Sequence, residues 1–218
     1  MSVITIERKV LEKNDQIAGR NRQEFADRGI SAFNLVSSPG SGKTSILEKT
    51  FQKLRDEINM AVIEGDVQTD LDAQRVSKYE VPVVQIVTLG GCHLDAGLVQ
   101  DALKKLDLNG IELLFIENVG NLVCPSNYDL GEAMKVVVLS TTEGDDKPLK
   151  YPAMIRNSSV LIINKTDLIP YVSCDIGVLR DNALQINPGL KIFEISCVTE
   201  EGISDWCDWL RKKNYSVP

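Results

Sequence analysis

The chain has 218 residues, of which 43% are hydrophobic and 25% charged. This globular composition excludes a largely disordered or fibrous protein and suits a single domain over residues 1–218. Lys+Arg 24 against Asp+Glu 31 leaves a net charge of −7, a poor balance for wrapping a nucleic-acid backbone.

The N-terminus, Met1-Ser2-Val3-Ile4-Thr5-Ile6-Glu7, brings charge before any apolar stretch, so no secretory signal is read there. No apolar run nears the roughly 18 residues of a membrane span. Five cysteines at unequal spacing beside one histidine do not make a secreted disulfide framework. The expectation is a cytoplasmic chain in reducing surroundings, without a membrane or nucleic-acid partner. Residues 6–29 read as a polar helix with Val10, Leu11, Ile17 and Phe25 as sparse anchors and Gly29 as its C′ stop. It is expected to lie on the domain as a solvated helix.

From there, apolar runs of strand length alternate with amphipathic segments of helix length. Strands are predicted at 33–36, 60–63, 83–87, 113–116, 136–139, 160–163 and 192–195. Helices are predicted at 43–57, 71–78, 94–106, 148–157, 175–186 and 203–213. Near-continuous Val/Ile/Leu runs suit strands buried on both faces. The alternation predicts an α/β fold of three layers, α/β/α, with a mostly parallel sheet of about seven strands.

The first strand is followed by Ser37-Ser38-Pro39-Gly40-Ser41-Gly42-Lys43-Thr44-Ser45, a phosphate-binding loop in its proper strand–loop–helix setting. Gly40, Ser41 and Gly42 can turn backbone N–H groups onto phosphate oxygens, and the helix adds its positive dipole end. Lys43 reaches the β- and γ-phosphates, Thr44 offers its hydroxyl to magnesium, and Ser45 lies beside it. Ser37 stands where the general pattern has glycine.

The second strand leads into Glu64-Gly65-Asp66-Val67-Gln68-Thr69-Asp70-Leu71-Asp72 and the fourth into Glu117-Asn118-Val119-Gly120. Both lie at the carboxyl edge, where open α/β sheets bind ligands. Glu117 and Asp66 are candidate magnesium ligands, and the Gly120 amide can sense a γ-phosphate. Asp70 or Asp72 can position the attacking water, since no Gln stands in the expected place. A helix N-cap or first-turn charge is the plainer alternative for each acid.

After the third strand comes Gly90-Gly91-Cys92-His93-Leu94-Asp95, and Cys124 follows Gly120 closely. Thiolates and an imidazole at one sheet edge suit nickel or zinc, although a buried cysteine pair with no metal fits the residues equally well. Three ligands fall short of a closed zinc site, so a two-fold dimer bringing six together is one solution. Lys147 and Lys150, within residues 144–152, can reach the nucleotide or switch of either subunit. Cys174, Cys197 and Cys207 read as structural.

Asn164-Lys165-Thr166-Asp167 follows the sixth strand, and Ser196-Cys197-Val198-Thr199 follows the seventh. A carboxylate at Asp167 can accept from guanine N1–H and its exocyclic amine. Asn164 can address the other edge and Lys165 can lay its stem on the ring. The segment with Ser196, Cys197 and Val198 resembles the GTPase loop whose backbone amides contact guanine O6. In this order after a phosphate loop, the motifs favour GTP.

Taken together, these segments resemble the nickel-insertion GTPases of hydrogenase maturation, in the SIMIBI class of P-loop proteins. Gly-Gly-Cys-His-Leu-Asp95 and Glu-Asn-Val-Gly-Asn-Leu-Val-Cys124 carry the resemblance most specifically. It spans nearly the whole chain from about Asn14. It implies a slow GTPase that forms a homodimer when GTP-bound; Lys43, Asp72, Glu117 and Gly120, read from the motifs above, are the residues expected in its machinery. It also implies nickel or zinc on Cys92, His93 and Cys124. The implied partners are a small zinc-binding accessory protein and the large subunit of a [NiFe] hydrogenase. Some members carry an N-terminal Cys-x-x-Cys-Gly-Cys site and others a His-rich tail; this sequence has neither, so high-capacity nickel storage is not expected. A urease nickel-delivery protein, a cobalamin-mutase chaperone and a nucleotide-binding scaffold with structural zinc are the alternatives. A small-molecule kinase would need an arginine lid, and none is read.

Overall fold

A computed structural model describes residues 6–68 and 71–214. The described residues contain seven strands in one all-parallel sheet, in the order β3-β2-β4-β1-β5-β6-β7. They are β1 (Ser31–Ser37), β2 (Met60–Asp66), β3 (Val83–Val87), β4 (Leu113–Glu117), β5 (Met134–Ser140), β6 (Val160–Asn164) and β7 (Lys191–Glu194). The eight helices are α1 (Ile6–Arg28), α2 (Lys43–Leu54), α3 (Leu71–Ser77), α4 (Ala96–Leu103), α5 (Lys147–Lys150), α6 (Pro152–Arg156), α7 (Ile176–Ile186) and α8 (Ile203–Asn214). Short 3-10 turns add Cys124–Asn127, Thr141–Glu143 and Thr166–Tyr171.

The strand period of two divides the core between the faces. Phe33, Leu35, Val62, Phe115, Val138 and Ile162 face α2, α3 and α8. Their neighbours Ala32, Ile63, Leu114 and Ile116 face α1 and α4, while Val137, Leu139 and Leu161 face α6 and α7. Burial on both sides is why the inner strands read as unbroken apolar runs. The edge strands depart from this: β3 is half-buried, and Lys191 and Glu194 of β7 are exposed. An edge strand has a neighbour on one side only.

Helix boundaries differ from the sequence expectation, most visibly at α2, α4 and the segment 148–157. Asp95 caps α4 by accepting from Leu98 N at 2.8 Å, so Leu94 lies ahead of the helix. α2 stops at Leu54. The segment 148–157 is two short helices, because Tyr151 leaves helical geometry (φ −124°, ψ 55°) and Pro152 brings no N–H to continue the ladder.

α1 ends as expected. Gly29 (φ +69°) lets Gly29 N donate to Ala26 O and Ile30 N to Phe25 O, at 3.1 and 2.8 Å, with Phe25 and Ile30 in one apolar cluster. Its docking face matches the expectation only in part: Phe25 is buried, and Leu11 and Ile17 are half-buried. Val10 is exposed, and the buried stripe is Asn14, Ala18, Asn21 and Phe25. Asn14 donates to Asp129 O (2.8 Å) and accepts from Ala96 N (2.9 Å); Asn21 donates to Ala96 O and Leu130 O, each at 3.0 Å. Helix docking here combines buried Ala18 and Phe25 with amide hydrogen bonds to backbone, and an apolar-periodicity search is blind to the amides.

Candidate nucleotide and metal site

The phosphate loop leaves β1 at the sheet centre and turns through Gly40 (φ +73°) and Gly42 (φ +100°), which caps α2. A β-carbon at Gly42 would collide with the Asn164 side-chain amide, so the position needs glycine for both φ and space. Asn164 Nδ2 donates to Ser41 O at 2.8 Å and Lys165 Nζ to Gly40 O at 2.7 Å. The guanine-type motif thus braces the loop from across the sheet. Lys43 is buried and donates to Ser37 Oγ at 2.9 Å. The residue that departs from the usual glycine is therefore a partner of the lysine. Ser41 Oγ donates to Glu143 Oε1 at 2.6 Å, and Lys147 lies 3.6 Å from the other Glu143 oxygen. Lys150 pairs with Asp146 at the surface.

The loop borders a cavity of about 460 Å³, which Thr44, Asp66, Asp72, Glu117 and Gly120 also line. Thr44 Oγ1 donates to Glu117 Oε1 at 2.9 Å, and Lys43 Nζ lies 3.9 Å from the same oxygen. β2 and β4 pair with Glu64 opposite Glu117, which puts two carboxyl groups together in the interior. Burial, then the charge of Glu117, pushes the Glu64 carboxyl well above its usual range. Burial raises Glu117 as well, against the pull of Lys43 and the Thr44 hydrogen bond. Glu64 Oε1 and Glu117 Oε2 are buried without a hydrogen-bond partner. Orphaned carboxyl oxygens beside a threonine hydroxyl are what a hard cation such as magnesium takes. The sequence assigns Glu64 no role, because only strand register, across 53 positions, sets it against Glu117.

Asp66 Oδ1 accepts from Val67 N at 2.6 Å. Asp72 pairs with Arg75 at 3.2 Å, and Arg75 also donates to Ser45 Oγ (3.1 Å) and to Glu48 (2.6 Å). Asp70 lies outside the described residues. Gly120 is packed on Pro39: a β-carbon there would sit 3.0 Å from Pro39 Cα.

At the far end of the loop, Ser196 Oγ donates to Asp167 Oδ1 at 2.6 Å and accepts from Val198 N and Thr199 N at 3.1 Å. Cys197 Sγ donates to Asn164 Oδ1 at 3.6 Å, and burial lifts its thiol to about 11. Lys165 holds a left-handed φ of +64°. Asn164, Lys165, Asp167 and residues 196–198 form one hydrogen-bonded edge next to the phosphate loop.

Cys92, His93 and Cys124 converge beyond Gly120, their ligand atoms all within 4.8 Å of one another. Cys92 Sγ is 3.5 Å from His93 Nδ1, and the His93 ring packs 4.0 Å from that of Tyr128. A hydrogen bond with Cys124, then burial, raises the Cys92 thiol; burial lowers His93 and favours its neutral, ligating form. Two thiols and an imidazole match a soft divalent ion, with a fourth position left for another donor. Cys207 is buried in the core of α8, away from this chemistry.

A parallel sheet with this loop after β1 and acids on the neighbouring strand ends defines a P-loop nucleotide-binding protein. Residues 31–194 match the family described as "CobW/HypB/UreG, nucleotide-binding domain". Hydrogenase maturation factor HypB of Escherichia coli K12 is 49% identical over 95% of this chain and 72% of its own length. Among solved structures, HypB from Archaeoglobus fulgidus has a TM-score of 0.88 at 38% identity, covering 94% of this chain and 100% of that one. HypB from Helicobacter pylori in complex with nickel also has a TM-score of 0.88, at 37% identity, covering 93% and 95%. The chain belongs to the HypB family of hydrogenase maturation factors.

Proposed function

We propose that the chain is a GTP-hydrolysing metallochaperone that carries nickel on Cys92, His93 and Cys124 for insertion into a [NiFe] hydrogenase. One observation carries this reading: Glu117 lines the nucleotide cavity, and the same loop, seven positions on, delivers Cys124 to the Cys/His cluster. The similarity to a nickel-complexed relative supports nickel as the cargo, with zinc the competing ion at the same ligands.

The loop amides of residues 40–45 cradle the phosphates, and Lys43 lies against the β- and γ-oxygens. Thr44, Asp66 and Glu117 would hold magnesium, which when bound would supply positive charge beside the phosphates. Asp72 orients the attacking water, and the Gly120 amide reads the γ-phosphate. Asp167 selects guanine, with Asn164, Lys165 and the 196–198 amides completing the base site. Lys147, tied to the phosphate loop through Glu143, is placed to respond to nucleotide.

GTP favours a homodimer that pools the ligands of two chains. Leu89 and Val123 flank the ligands and are 87% and 63% exposed, apolar surface that such a dimer would cover. A small zinc-binding accessory protein and the hydrogenase large subunit are the partners, met in the cytosol. The test is nickel content and oligomeric state with GDP and with a non-hydrolysable GTP analogue. The expected result is a dimer with altered nickel affinity in the analogue state. Equal affinity and equal size in both states would refute the coupling.

A further inference from the structure

Beneath the two metal-bearing loops runs a continuous chain of buried polar side chains. Asn118, the residue after Glu117, accepts from Leu94 N at 2.9 Å, one residue beyond His93. Its Nδ2 donates to Asn34 Oδ1 of β1 at 3.2 Å, and Asn34 Nδ2 donates to Glu132 Oε1 at 3.0 Å. Glu132 Oε1 lies 3.8 Å from Lys135 Nζ. Lys135 then donates to the carbonyls of Pro125 (3.1 Å), Ser126 (3.3 Å) and Tyr128 (3.0 Å), the turn that Cys124 opens. Asn34, Asn118 and Lys135 are 0, 1 and 7% exposed.

A buried charge pair of this kind adds little to stability over an apolar pair of the same volume. What it supplies is geometry. Lys135 has three fixed carbonyl acceptors, and Asn34 can satisfy both neighbours in only one amide orientation. At one end the chain grips the Cys92–His93 loop and at the other the Cys124 turn. Between them it touches the residue adjoining Glu117.

We propose that Asn34, Glu132 and Lys135 are positioning residues of the metal cluster: they set Cys124 against Cys92 and His93, and they pass a shift of the Glu117 strand end to both. The inference rests on the metal reading above and adds a second path beside the covalent link of residues 117–124. Because Asn34 lies on β1, outside that link, the two paths can be separated.

The experiment uses the full chain as wild type, Lys135→Met, Lys135→Arg and Asn34→Leu. Each is titrated with Ni²⁺ in GDP and in a non-hydrolysable GTP analogue, with the thiolate-to-nickel charge-transfer band recorded at saturation. Lys135→Met is expected to weaken nickel binding by about 10–100-fold and to shift the band, as loss of groups that orient metal ligands does. Lys135→Arg, which keeps the donors, restores both. Asn34→Leu keeps nickel, but the difference in its affinity between the two nucleotides shrinks, leaving only what the covalent link of residues 117–124 transmits.

Circular dichroism and GDP affinity report folding. Should Asn34→Leu fail to fold, the Lys135→Met and Lys135→Arg pair decides the matter. Folded variants with wild-type nickel affinity, band and nucleotide response would overturn the proposal. A wild-type protein that binds no nickel fails instead at the metal reading and removes this inference with it.

Discussion

At the residue scale, the site is fixed by close approaches as much as by donors and acceptors. Gly42 combines a φ of +100° with a direction in which a β-carbon meets Asn164. Gly42→Ala should therefore abolish nucleotide binding while α2 persists, which equilibrium binding of a fluorescent GDP, together with circular dichroism, would check. Asp167 is held by Ser196 on one oxygen. Asp167→Ala removes the proposed acceptor for guanine and should cost about 1–3 kcal/mol, or roughly 10–100-fold in GTP-over-ATP preference. Retained discrimination in competition binding would count against the assignment. Gly40–Ser45 and Asn164–Asp167 were legible in the sequence because their chemistry lies in contiguous residues. Glu64, Glu143 and Lys135 were not, because their partners come from strands and turns far along the chain.

At the element scale, the strands were legible and the helix boundaries less so. Strands buried on both faces announce themselves as apolar runs, whereas a helix end depends on a cap such as Asp95 or a break such as Tyr151-Pro152. α1 was legible as a helix and Phe25 as its anchor, but the contacts through Asn14 and Asn21 were not, since they are polar. Gly131 makes that contact possible: it has a φ of +92°, and a β-carbon would lie 2.7 Å from Ala18 O and 2.8 Å from Arg22 N, both backbone. Gly131→Ala should destabilise the protein by about 1–3 kcal/mol through this overpacking. A lower urea midpoint with an unchanged slope would show it, and an unshifted midpoint would argue that α1 docks elsewhere.

At the scale of the whole molecule, the sheet order puts the nucleotide loop at the centre and the Cys/His cluster just past it. The scarcity of cysteine and histidine in the sequence already narrowed the ligands, but only the folded chain brings positions 92, 93 and 124 within 4.8 Å. Cys92→Ala removes one ligand of three, and the purified protein should lose stoichiometric nickel, as metal analysis after dialysis would report. Unchanged stoichiometry would sink the ligand set.

The asparagine contacts of α1 also bear on synthesis. Asn14 meets Asp129 across 115 positions and Asn21 meets Leu130 across 109. At roughly 5–20 residues per second on the ribosome, α1 waits on the order of 6–20 seconds for the segment it will clasp. A helix that docks through amides can spend that interval in water, offering passing chains little apolar surface to seize.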